Sequence, residues 1–298
     1  MENVAVRLRS SIRRSHLSRY PKLSKDLTRL ARVLRQREHR RITITKDGMD
    51  NIFYGTVGSL PRRTRCVIFM SKRMKNILRT AKRIFAGGTF KVRPAKPKSS
   101  QVFSICVLWR GHIIPICVLL MASRRTPAYV RLFEALWDCG LNPSKIHTDF
   151  ESPMYKAFQT VFPEAQVLGC VTHNVRRLRD KVKILRLTCY VRDSEWAARI
   201  VRCCGAIALL PPGMMRRGLL VLFRQAKAQG VWRSLKEFLL YVKNTSLKDV
   251  LSVFLAKHRT NNVSESWNRS LVTRSVKILS HGIFGYSWRA TRYPFANF

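Results

Sequence analysis

Residues 102–121 read VFSICVLW-RG-HIIPICVLLM, two apolar runs from Val102 to Trp109 and from His112 to Met121 parted by Arg110 and Gly111. A two-residue break with glycine between β-branched runs is a hairpin signal, because only a tight turn with left-handed backbone reverses the chain so quickly. Upstream, Ile84 to Val92 reads as a strand interrupted by Gly87 and Gly88, and Arg93 to Ser100, holding Pro94 and Pro97, reads as a turn or loop. Three consecutive strands in an antiparallel meander are therefore predicted.

Downstream the apolar period changes from strand to helix. Thr126 and Pro127 offer an N-cap and a first-turn proline, and Tyr129, Val130, Phe133, Leu136 and Trp137 recur at helical spacing until Gly140. Lys145 to Phe150 predicts a short strand, Met154 to Val161 a helix closed by Pro163, Gln166 to Val171 a strand, and Asn174 to Ile184 a basic helix. Strand, strand, strand, helix, strand, helix, strand, helix is the order of an α/β fold with a mixed sheet. Beyond Leu185 the chain reads as mostly helical, broken at Pro211, Pro212 and Gly213, up to RTNNVSESW at 259–267. The first 80 residues are the most basic and least periodic. Within them Leu27, Leu30, Ala31 and Leu34 predict a helix from Ser24 to Gln36 capped by Ser24, and IFYGTVG and RCVIFM predict short strands or buried turns.

The 298 residues include 46% hydrophobic and 10% aromatic types, ordinary globular material. The charge is not ordinary: 57 Lys+Arg against 16 Asp+Glu leave a net +41. Such an excess repels itself in a compact state unless a polyanion neutralises it, which points to nucleic acid without choosing DNA or RNA. A ribosomal or RNA-packaging protein, or the product of a decaying gene, would carry the same charge. The eight cysteines follow no regular spacing, and most sit in apolar runs such as SICVLW and PICVLL, so reduced buried thiols are expected rather than a disulfide scaffold. No apolar run reaches the ~20 residues that span a bilayer. The Arg- and Ser-rich start loosely fits a mitochondrial transit peptide, while RQREHRR at 35–41 fits nuclear import or phosphate contact at least as well.

Four segments, FAGGTFKV (85–92), GLNPSKIHTDFE (140–151), FPEAQVLGCVTH (162–173) and RTNNVSESWNR (259–269), in this order resemble the transposase domain of Mutator-like elements (MULE). The resemblance covers about residues 75–270 and implies an RNase H-like fold: three antiparallel strands, alternating helices and strands, and a helical insertion before the last catalytic-position helix. The implied division is a basic N-terminal region (1–80), an RNase H-like core (81–184), a helical insertion (185–257), and the last core helix with a degenerate tail (258–298). The implied activity is DNA cleavage and strand transfer by metal-dependent phosphoryl transfer in the nucleus. Two divalent cations, Mg²⁺ or Mn²⁺, would be held by carboxylates converging from separate elements.

Three carboxylates are implied by the resemblance. The second maps onto Asp149, which as an Asp at a strand-to-helix junction reads equally as a helix cap; Glu151 is its nearest substitute. The third maps onto Glu265, which in isolation reads as half of a capping box with Thr260, Asn261 or Asn262. The first falls on Gly87, where the family carries Asp before GTF, so an impaired enzyme is expected. Cys170 and His173 form C-x2-H, matching a family signature; one such pair is half a zinc site, and a buried Cys with a polar His is the competing reading. His147 could face the same site.

The helix after Cys170 crowds Arg176, Arg177, Arg179, Lys181 and Lys183 around a single Asp180, which predicts a phosphate-contacting surface for DNA. Arg62, Arg63, Arg65, Lys72, Arg73 and Lys75 form a second basic cluster. Three functions compete: a transposase-derived DNA-binding protein with an incomplete triad, for which assembly as a homo-oligomer on DNA is one expectation; an active transposase with a compensating carboxylate; and a non-enzymatic RNA-binding or structural protein, in which Gly87, Asp149 and Glu265 need not converge.

Overall fold

The computed structural model describes residues 24–45, 47–59, 61, 63–94, 96–149, 151–246 and 252–279. The hairpin forms as predicted. Strand β4 (Gln101–Trp109) pairs antiparallel with β5 (His112–Met121), and Arg110 and Gly111 turn between them with φ of 48° and 80°. Both angles are positive, as a type I′ turn requires. Pro115 has no N–H to give, and it sits at the register shift beside Ile105 and Cys106. It also lies outside the part of β5 (Cys117's successors Val118 to Met121) that pairs on its other edge with β2 (Cys66–Phe69).

Strand β3 (Arg83–Thr89) pairs antiparallel with β4, completing the meander. The two glycines do not interrupt it: Gly87 stands opposite Ser104 and Gly88 opposite Phe103. Strands β6 (Lys145–Thr148) and β7 (Gln166–Leu168) then add parallel to β3 and to each other. With β1 (Phe53–Val57) outermost, the mixed sheet has the order β1-β2-β5-β4-β3-β6-β7. The pairing of β1 and β2 onto β5 is a long-range contact that local spacing does not reveal.

Helices cover both faces. On one lie α2 (Lys72–Thr80), α3 (Thr126–Asp138) and α4 (Ser152–Val161), whose Leu78, Phe133 and Phe158 join Ile84, Ile105, Ile116 and Ile146 in the main core. The rings of Phe133 and Phe158 stack 3.9 Å apart. The other face takes α1 (Leu27–Arg35) and the C-terminal helix α10 (Asn262–Leu279); Leu27, Val263, Trp267 and Leu271 pack there on Phe85, Val102 and Cys106. Between the two, α5 (Val171–Ile184), α6 (Thr188–Asp193), α7 (Glu195–Ala206), α8 (Pro212–Ala228) and α9 (Trp232–Tyr241) carry their own apolar cluster around Leu178, Ile200, Leu219, Leu235 and Phe238.

Several element limits differ from expectation. Asp26, not Ser24, caps α1, its carboxylate accepting from the N–H groups of Thr28 and Arg29. Helix α2 was hidden by its own Lys and Arg residues. Helix α5 starts at Val171, three residues before the predicted Asn174, so β7 ends at Leu168. The break expected at Pro211, Pro212 and Gly213 falls between α7 and α8, and Pro212 opens α8, as its fixed φ suits a first turn. The tail beyond Leu279 lies outside the described residues, as does the transit-like stretch before Ser24. Among the described residues no helix is long and apolar enough to cross a membrane. All eight cysteines are free thiols; Cys66, Cys106, Cys117, Cys139, Cys170 and Cys204 are buried. Burial pushes the Cys66 and Cys204 thiols up to about 12.

Candidate functional site

Strands β3 and β6 run parallel, with Ala86 opposite Thr148. One residue further on, the chain reaches Gly87 in one strand and Asp149 at the end of the other. Helix α10 crosses this face, held by its apolar stripe and by Ser104 Oγ, which donates to Asn268 Oδ1 at 3.2 Å. That docking brings the start of α10 over the ends of the two strands.

Asn261, buried just ahead of α10, ties the elements together. Its Nδ2 donates to Ala86 O and to Asp149 Oδ1, each at 2.9 Å. Asp149 is therefore no helix cap: its carboxylate is held by Asn261, and Glu151 stands at the cap position of α4. Glu265 lies in the first turn of α10, but Asn261 is committed elsewhere and the Glu265 carboxylate sits beside His173 and Cys170. His173 Nδ1 is 3.3 Å from Asp149 Oδ1 and 3.3 Å from Glu265 Oε1. Cys170 Sγ is 3.9 Å from Glu265 Oε1. A backbone bond from Val171 N to Arg259 O at 3.1 Å fastens the start of α5 to the approach of α10.

Burial raises Asp149 above the usual carboxylate range, with Glu265 and Glu151 adding to it and His173 and Asn261 opposing. The adjoining Cys170 raises His173, helped by Asp149 and Glu265, although burial works the other way. Burial alone would push the Cys170 thiol up; the His173 side chain and the N–H groups of Asn261 and His173 outweigh it and bring the thiol below its ordinary value.

Gly87 belongs to this group. A Cβ built on it would run into Ser264 Oγ and would lie 3.3 Å from Ser264 Cβ and 3.4 Å from Asn261 Nδ2. Its neighbour Gly88 is constrained on the opposite face, where a Cβ would run into Gln101 Oε1. The glycine pair thus threads between two buried polar side chains, and neither position accepts a side chain without displacement. Gly87, Asp149 and Glu265 are linked through the neighbours they share, Gly87 and Asp149 through Asn261 and Asp149 and Glu265 through His173.

The donor set does not fit a pair of hard cations such as Mg²⁺. Two carboxylates are present, a side chain at Gly87 would meet Ser264, and the remaining donors are a ring nitrogen and a thiol. Glu151 is engaged elsewhere: its Oε1 accepts from Arg124 Nε at 3.0 Å and from Tyr129 Oη at 3.2 Å. His147 is also used otherwise. Its ring stacks on Phe85 at 4.6 Å and meets His258 edge-on, with both nitrogens buried and without hydrogen-bond partners. Burial, then the charges of Arg83, His258 and Lys145, push its pKa down to about 3, so it is neutral.

The basic helix divides into two stripes. Arg176, Arg179 and Lys183 are exposed, whereas Arg177 and Lys181 are half-buried. Lys181 lies over the Tyr241 ring at 5.1 Å and 3.8 Å from Glu237, so it serves packing between α5 and α9. In the second cluster Arg73 pairs with Asp47 and Lys75 Nζ donates to Tyr54 Oη; Arg62 lies outside the described residues.

Sequence spacing missed the role of Asn261, which reads as a cap residue, and gave no reading of Ser264; it placed Cys170 and His173 at the end of a strand. In the structure Cys170 is the N-cap residue of α5 and His173 lies in its first turn. Comparison with curated proteins gives no match. A family model described as the MULE transposase domain matches residues 87–177, the stretch from Gly87 through Asp149, Cys170 and His173 into α5. Over those residues the chain is similar to the MULE transposase domain.

Proposed function

We propose that this chain is a transposase-derived DNA-binding protein whose ancestral metal-dependent DNA cleavage and strand transfer are impaired. The sheet order, with the meander followed by two parallel strands, supports an RNase H-like core in which residues 185–257 are a helical insertion. The observation that carries the functional reading is the closure of the first carboxylate's place: Gly87 has no ligand, and Ser264 fills the space a ligand side chain would need. Asp149 and Glu265 stand in the positions of the second and third carboxylates. Without the first, two cations about 3.5–4 Å apart lose a shared ligand, and the attacking and leaving oxygens lose their alignment.

DNA is the partner that the net +41 and the exposed stripe of Arg176, Arg179 and Lys183 favour, and the nucleus is where that partner lies. Contacts of this kind give affinity and salt dependence rather than sequence reading. The test is a supercoiled-plasmid nicking assay in Mg²⁺ and in Mn²⁺, run beside DNA binding at several salt concentrations. Tight, salt-dependent binding with no metal-dependent nicking is expected. Nicking that disappears in Asp149→Ala would show an active enzyme and overturn the impaired reading.

A further inference from the structure

We propose that Cys170, His173 and Glu265 form a site for one borderline-soft divalent cation, Zn²⁺ foremost, which fastens the start of α5 to the first turn of α10. One donor atom from each, Sγ, a ring nitrogen and a carboxylate oxygen, lies within 4.8 Å of the other two. The spacing also matches the edges of a coordination shell. With Zn–N and Zn–O near 2.0–2.1 Å, the edge of a tetrahedron between two such ligands is about 3.4 Å, and between a thiolate and an oxygen about 3.6 Å. His173 Nδ1 to Glu265 Oε1 is 3.3 Å and Cys170 Sγ to Glu265 Oε1 is 3.9 Å.

A second observation points to a cation at the same place. His173 Nδ1 is buried, lies 3.3 Å from an oxygen of each of two carboxylates, and makes no directed hydrogen bond to either. Two carboxylate oxygens facing one buried nitrogen call for a positive charge between them, either a proton on the ring or a cation. Asp149, held by Asn261, adds negative charge beside that nitrogen without joining the three-donor group. Sulfur, imidazole and carboxylate together select Zn²⁺ over Mg²⁺, which prefers oxygen alone. Three protein ligands leave one coordination position for water. This site does not depend on the DNA-binding reading: it stands on α5 and α10 meeting, whatever the chain binds.

The experiment uses the full-length chain, stripped with a chelator and titrated with Zn²⁺ and, as an optical probe, with Co²⁺. One Zn²⁺ per chain is expected, bound in the presence of millimolar Mg²⁺, with a thiolate-to-Co²⁺ charge-transfer band in the wild type. The band should vanish in Cys170→Ser and persist in Cys189→Ser, which alters an exposed thiol far along the chain. His173→Ala should weaken Zn²⁺ binding by more than about tenfold. Zn²⁺ should raise the melting temperature of the wild type, since only the folded chain brings α5 and α10 together. A wild-type Co²⁺ complex with no thiolate band, or Zn²⁺ binding unchanged in Cys170→Ser and His173→Ala, would overturn the proposal. Because the band is read on the wild type, the outcome does not depend on the variants folding. It is also separate from the nicking assay, which reads catalysis and not occupancy.

Discussion

A methyl group added at Gly87 tests how the site is closed. In Gly87→Ala the new Cβ collides with Ser264 Oγ and lies 3.3 Å from Ser264 Cβ, in a place where Ser264 is 1% exposed and has little room to retreat. Overpacking of a filled site costs about 1–3 kcal/mol. In Ser264→Ala the colliding oxygen is gone, and that oxygen has no hydrogen-bond partner to lose, so the single change should shift stability by no more than about 0.5 kcal/mol. In the double variant the 3.3 Å Cβ–Cβ approach remains beside a 3.4 Å approach to Asn261 Nδ2, and a displacement of a few tenths of an ångström relieves both; its cost should fall below about 1 kcal/mol.

The cycle therefore predicts a coupling of about 1–2 kcal/mol between residues 87 and 264, which are 177 positions apart in the sequence, measured by urea denaturation of all four proteins. Additivity within about 0.5 kcal/mol, or a neutral Gly87→Ala, would mean that Ser264 does not fill the place of the missing side chain. The same cycle with Asp at 87 bears on the chemistry. Gly87→Asp alone adds a buried carboxylate to two others and should be strongly destabilised, whereas Gly87→Asp with Ser264→Ala should recover stability on adding Mn²⁺ and bind more Mn²⁺ than the wild type.

Three further outcomes are expected. Asn261→Ala leaves Ala86 O and Asp149 Oδ1 without their buried donor and should cost about 1–3 kcal/mol in denaturation, while an unchanged midpoint would show that Asn261 does not clamp the strands. His147→Phe keeps a ring against Phe85 and removes two buried unpartnered nitrogens, so stability should rise by about 1 kcal/mol; a loss of that size would mean that the imidazole has a role beyond packing. Replacing Arg176, Arg179 and Lys183 together with Ala should lower the salt slope of DNA binding by about 2–3, while Lys181→Ala should leave the slope unchanged and lower stability through its contact with Tyr241.

What the sequence reveals of the fold is what short-range physics dictates. The β4–β5 hairpin is legible because Arg110 and Gly111 accept positive φ between β-branched runs, and α3 and α4 because their apolar residues recur at helical spacing beside prolines suited to a first turn. Helix α2 is not, since Met74, Ile77 and Leu78 are set among Lys72, Arg73 and Lys75, which read as part of a basic cluster. The extension of the sheet by β1 and β2 depends on a pairing with β5 some 50 residues away in sequence, to which no local period responds.

The site shows the same division more sharply. Asp149 and Glu265 are found by resemblance, yet each has a bland local role as a cap, and only the tertiary partners Asn261 and His173 show that neither caps a helix here. Gly87 is the converse case. In the sequence it is a missing ligand, a blank. In the structure it is a close approach, with Ser264 from α10 standing against β3 where a side chain would begin. A chain that had merely lost a carboxylate would leave a polar cavity there, which water or a cation could enter. Here the helix stands against the strand, and two carboxylates lie around a histidine and a cysteine. On the proposed reading, a carboxylate at residue 87 alone therefore cannot complete a three-carboxylate donor set; the helix face at Ser264 has to be opened with it.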